Sequence, residues 1–66
     1  MKILLNSFKL ETINNFNIKE LIIYLNLQDY PIAIEVNKIF IPKSEWEEIF
    51  LKNSDKIEIV TIVGGG

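Results

Sequence analysis

Hydrophobic positions near the start of the chain recur with period two. In KILLNSFKLET, Ile3 and Leu5 are interleaved with Lys2, Leu4 and Asn6, and Phe8 and Leu10 with Lys9 and Glu11. That is the spacing of strands with one buried face. Asn6-Ser7 supplies turn chemistry between the two runs, so residues 2–12 are expected to form a β-hairpin. From Ile18 the period lengthens: Ile18, Leu21, Ile22 and Leu25 fall on one face of a helix. Its start is well marked. Asn17 can cap the free N–H groups, Glu20 can return the bond, and Phe16 can staple onto Leu21.

Tyr30-Pro31 breaks the helix, and the β-branched run IAIEV follows. Asn37-Lys38 can turn the chain into a second short run, IFI, and Pro42 ends the pairing. Ser44 and Glu47 form another capping pattern ahead of Trp46, Ile49 and Phe50, predicting one or two helical turns. In the NSD turn, Asn53 is the residue expected to tolerate positive φ. KIEIVTIV is then the longest β-type stretch in the chain.

Hairpin, helix, short strands, helical turn and long final strand predict an α+β domain with the helix packed across one sheet face. Ile57 and Ile59 should face the helix with Ile3 and Leu5, leaving Glu58, Val60 and Ile62 on the other side. One amphipathic helix covers only one face. Val60 and Ile62, with Leu4, are therefore expected to form an exposed apolar patch of the kind that marks a binding surface. The competing arrangement puts the last strand at the centre, with its second face covered by the loop around Pro31 or Trp46.

At 66 residues the chain has room for one small domain. It lacks cysteine and histidine, the residues that carry most nucleophilic and acid–base chemistry near neutral pH. Self-contained catalysis is not expected. Stability must come from packing, without disulfides or thiolate metal sites, as suits a reducing cytoplasm. No apolar run is long enough for a membrane helix, and Asn6, Ser7 and Lys9 interrupt the N-terminal run too early for a signal peptide. A soluble protein is expected. Net charge is −2 and the lysines are scattered, which argues against nucleic acid as a partner. Glu45, Glu47 and Glu48 read as a solvated helical face, and Trp46 as a lid on the core.

What remains is the ending, IVTIVGGG. A frayed end or an expression scar would leave glycines, but the upstream segments point the same way as the tail. The order of elements with a glycine ending resembles the β-grasp fold of ubiquitin-like proteins. IEVNKIFIPKSEW, with Asn37, Pro42 and Trp46, and DKIEIVTIVGGG resemble the ThiS family of sulfur carriers in thiamine biosynthesis.

The resemblance implies a β-grasp domain over residues 1–63, with a mixed sheet, and a flexible tail over 64–66. It implies that the Gly66 carboxylate is adenylated by a separate ThiF-like enzyme using ATP, with no cofactor bound to this chain. A persulfide donor such as a cysteine desulfurase would then supply sulfur, and the resulting thiocarboxylate would serve a ThiG-like thiazole synthase. Gly64 and Gly65 would let the tail thread a narrow channel, since residues without Cβ allow close backbone approach. Leu4, Val60 and Ile62 would dock the partner. Two other roles use the same fold: the small subunit of molybdopterin synthase, and a ubiquitin-like interaction or modifier module.

Overall fold

The computed structural model describes residues 1–12 and 15–62. Strands β1 (Lys2–Leu5) and β2 (Phe8–Glu11) form the expected hairpin. Helix α1 (Ile18–Tyr24) follows, then β3 (Ile32–Val36), β4 (Ile39–Ile41), a 3-10 turn (Lys43–Glu45) and β5 (Lys56–Thr61). The sheet has the order β2-β1-β5-β3-β4 and is mixed: β5 runs parallel to β1 and antiparallel to β3.

The two hairpins turn on residue pairs with left-handed φ, Asn6 (48°) with Ser7 (70°) and Asn37 (51°) with Lys38 (69°). That geometry matches the twist of the flanking strands, and asparagine tolerates it better than most residues. Each asparagine does more than turn the chain. Asn37 Oδ1 accepts from the Lys56 N–H at 2.9 Å, while its Nδ2 donates to Asp55 Oδ1 at 2.9 Å. Asn6 plays a comparable part further along β5.

All four N–H groups that a helix start leaves free have partners in α1. Asn17 Oδ1 accepts from the Glu20 N–H at 2.7 Å, and Glu20 Oε1 accepts from the Asn17 N–H at 2.9 Å. The Ile18 and Lys19 N–H groups donate to the carbonyls of Ile49 and Trp46. The capping box is thus completed by the segment after the 3-10 turn, which lies against the helix start. Phe16 rests against the core, and its ring lies 5.4 Å from that of Tyr24. At the other end Asn26 adopts φ 59°, the Asn26 N–H donates to Ile23 and the Leu27 N–H to Ile22. This left-handed stop closes the helix before the Tyr30-Pro31 break is reached.

Asn17→Ala should cost about 0.5–2 kcal/mol. In a domain this small each kcal/mol lowers the melting midpoint by about 4–8 °C. A variant that melts with the parent protein would show that the tertiary contacts at the helix start suffice without the cap.

The core lies between α1 and one sheet face: Ile18, Leu21, Ile22, Ile34, Leu51 and Ile57 are essentially fully buried. Ile3 joins them, and Leu5 and Ile59 pack at the margin. Trp46 is buried as a lid, its indole N–H donating to the Ile41 carbonyl at 3.1 Å.

Two local expectations need correction. Ser44 does not cap a helix: the segment forms a single 3-10 turn, with Pro42 at its cap position and no side-chain cap bond. Pro42 is extended there, and the Trp46 N–H bonds only three residues back, to Lys43. The tight turn lets the chain return to the helix start. In the NSD turn the left-handed residue is Ser54 (φ 75°), not Asn53. Asn53 is engaged differently, its Oδ1 accepting from the Lys2 N–H at 2.8 Å.

Candidate functional site

Strand β5 is central, yet its second face is open. Along it Ile57 is buried while Lys56, Glu58 and Val60 are exposed, the alternation a pleated strand imposes. Val60 is 56% exposed and Ile62 51%. The ladder continues to Ile62, whose N–H donates to the Pro31 carbonyl at 2.7 Å. The Pro31 loop and Trp46 do not cover these side chains. The loop meets β5 edge-on through its backbone, and Trp46 closes the helix side.

Cross-strand register defines what else shares this face. Ala33 lies opposite Val60, Glu35 opposite Glu58, and Phe40 opposite Glu35. Phe40 is 61% exposed. The face therefore combines apolar Val60, Ile62, Ala33 and Phe40 with a carboxylate pair at Glu35 and Glu58. Like charges directly opposite in a sheet destabilise it. Phe40 was legible in principle, because it is the middle residue of IFI and Ile41 faces the core.

Leu4 does not join this group. It is half-buried and pairs with Lys56, four residues before Val60, or about 13 Å along a strand. Parallel register, which nothing in the local pattern specifies, sets it apart. Gly64, Gly65 and Gly66, and the boundary between domain and tail, lie outside the described residues.

A second surface feature lies on the helix side. A groove of about 650 Å³ between α1 and the 3-10 turn is floored by Ile22, Ile23 and Trp46. At its rim Lys19 Nζ meets Glu47 Oε1 at 2.7 Å. The hydrogen bond and charge of Lys19 hold the Glu47 carboxyl below its ordinary range. The Lys43 ammonium stands 6.0 Å from the Trp46 ring. The pair ties the helix to the segment after the 3-10 turn, so Glu47 belongs to that tether. Among the described residues, no grouping of three acidic, histidine or cysteine side chains could hold a metal ion, and no helix is long and apolar enough to cross a membrane.

A five-stranded mixed sheet carrying one helix on one face, with the other face open beside the last strand, defines a β-grasp protein. The ThiS family model matches residues 3–66, and the chain belongs to the ThiS family. Its backbone superimposes on the crystal structure of the thiamine biosynthesis protein ThiS from Geobacter metallireducens. The TM-score is 0.88 with 20% identity, covering 100% of both chains.

Among sequence relatives, the uncharacterised protein ycf40 of Trieres chinensis is 40% identical over 62 residues, 94% of this chain and 85% of that one. Its namesake in Porphyra purpurea is 42% identical over 43 residues, 65% of this chain and 61% of that one. A thiazole synthase of Paramagnetospirillum magneticum is 29% identical over 66 residues, which span 100% of this chain and 20% of the synthase.

Proposed function

We propose that this chain is a sulfur carrier for thiazole formation in thiamine biosynthesis, working through the α-carboxylate of Gly66. The observation that carries the reading is the family match, which extends through the glycine tail to residue 66. The likeness of the whole chain to one part of a thiazole synthase supports a ThiG-like acceptor. The protein is then a co-substrate of other enzymes, with residues 1–63 as the domain and 64–66 as a tail.

The chemistry follows from the weakness of a carboxylate as an electrophile. A Gly66 carboxylate oxygen attacks the α-phosphorus of ATP in a ThiF-like enzyme, the bond to the β-phosphate breaks, and pyrophosphate leaves an acyl-adenylate. The terminal sulfur of a persulfide, supplied by a donor such as a cysteine desulfurase, attacks the acyl carbon and expels AMP. A second thiol then attacks the disulfide so formed, releasing the thiocarboxylate and leaving a disulfide on the donor side. ATP is consumed by the partner.

With no cysteine in the chain, no internal thiol competes for the activated carbonyl. Ordering the glycines in a partner's channel costs about 1–2 kcal/mol of backbone entropy per residue. Burial of Val60 and Ile62, with Phe40 and Ala33 beside them, offsets that cost. Leu4 stands at the margin of this surface.

The test is the intact mass after incubation with ATP, the cognate adenylating enzyme and a sulfur donor. Replacement of one oxygen by sulfur, localised to Gly66, is expected. An unchanged mass with active partners would sink the carrier reading and leave a binding module.

A further inference from the structure

Strand β1 stops at Leu5, where the chain turns at Asn6-Ser7, but β5 continues past it to Thr61. The lane beside β5 is therefore occupied only part of the way. Its β1-side backbone groups are met in order. The Ile57 carbonyl accepts from the Asn6 N–H at 2.9 Å. The Ile59 N–H donates to Asn6 Oδ1 at 2.7 Å, and the Ile59 carbonyl accepts from Asn6 Nδ2 at 3.0 Å. A carboxamide is chemically a peptide group, so the Asn6 side chain stands in for one more residue of the missing strand.

Groups on an extended strand point the same way every second residue. The N–H and C=O of Thr61 thus face the same lane, and the bonds made along it by the described residues end at Ile59. Ile62 faces the other side, bonded to Pro31.

We infer that the next place in this lane is taken by a peptide group of a partner, so that β5 gains a strand at Thr61 when the carrier docks. The occupant is an extended segment of the enzyme that adenylates the tail, and to that extent the inference rests on the proposed function. From Thr61 to Gly66 the chain reaches at most about 18 Å. An enzyme holding Gly66 in its active site therefore lies within reach of this edge.

The side-chain pattern of the segment follows from the two faces of β5. Its residue opposite Thr61 is apolar, because that side opens on a groove of about 410 Å³ where Leu5, Leu25, Leu27, Ile32 and Ile59 outnumber the polar Asn6 and Tyr30 in the lining. Its residue opposite Val60 is basic. That position is diagonal to Glu58, whose carboxylate has Glu35 opposite it across the strand pair, and a cation relieves the like-charge juxtaposition. Main-chain bonds supply affinity in such strand addition and alternate side chains supply specificity.

The inference is tested by amide hydrogen exchange, read by NMR on the full chain, alone and saturated with the cognate adenylating enzyme without ATP. Alone, the Thr61 amide exchanges freely while that of Ile62 is protected. In the complex Thr61 exchange slows about tenfold or more. Thr61→Pro, which removes an N–H bonded to none of the described residues, melts with the parent and binds about tenfold more weakly.

A saturated complex in which the Thr61 amide still exchanges freely overturns the pairing, whatever the proline variant does to the fold. So does protection that appears with rising carrier concentration alone, which marks a second copy as the occupant. The mass assay on the same mixture, after ATP and the sulfur donor are added, separates the two readings. Sulfur gained with Thr61 unprotected sinks the pairing alone, whereas neither binding nor sulfur sinks both.

Discussion

Deleting Gly66 should leave the melting midpoint unchanged and lower the rate of adenylation at least a hundredfold. The described ladder of β5 ends where Ile62 bonds to Pro31, so no bond of the described sheet is lost. The new terminus, on Gly65, is still a carboxylate of the same chemistry. What changes is reach. Shortening an extended tail by one residue withdraws the carboxylate by about 3.3–3.6 Å. Misplacing a reacting group by as little as 1 Å costs about a hundredfold, because attack needs the atoms about 3–3.5 Å apart and aligned. Intact mass and pyrophosphate release, measured beside thermal melting, check both halves. A truncated chain that accepts AMP at the parent rate would show that the reacting group is not the Gly66 carboxylate. A truncated chain that melts early would place the tail in the fold.

Val60→Asp should weaken binding to the adenylating enzyme about ten- to a hundredfold, equivalent to about 1.4–2.7 kcal/mol, with stability altered by no more than about 0.5 kcal/mol. Val60 is more than half exposed in the free protein, so its replacement opens no cavity. In a complex that covers it, the substitution removes apolar contact and buries a carboxylate beside Glu58 and Glu35, where like charge is already concentrated. Leu4→Gln should have a much smaller effect on binding, because register places Leu4 against Lys56. Titration calorimetry against the enzyme, with melting curves for each variant, gives the comparison. A larger loss from Leu4 than from Val60 would move the docking surface to the β1–β2 side. An early-melting Val60→Asp would return that residue to the core.

Much of this architecture was legible because it depends on contacts close in sequence. The hairpin turn at Asn6-Ser7, the capping box of Asn17 and Glu20 and the alternation along β5 each need only a few consecutive residues. Errors arose where a local signal met a tertiary demand. Ser44 and Glu47 have cap spacing, but the chain must turn back to give the Ile49 and Trp46 carbonyls to the helix start, and a 3-10 turn does that. Asn53 suits a left-handed turn, but its side chain bonds Lys2 while Ser54 takes the unusual φ. Leu4 has the right period for the outer face, yet period does not say which residue of a distant strand it will meet.

By itself the sequence determined the elements, the buried side of each, and the glycine ending that leads to the family. These follow from periodicity, capping and turn chemistry, all short-range. The tertiary structure alone decided that β5 is central and lies parallel to β1, which separates Leu4 from Val60 and brings Ala33, Glu35 and Phe40 to the open face. It alone showed the Asn6 side chain ending the β1 lane opposite Ile59 and leaving Thr61 beyond it. Parallel pairing joins residues some fifty positions apart, and its register is set by the packing of Ile3, Leu5, Ile57 and Ile59 beneath one helix, which no local window of the chain contains.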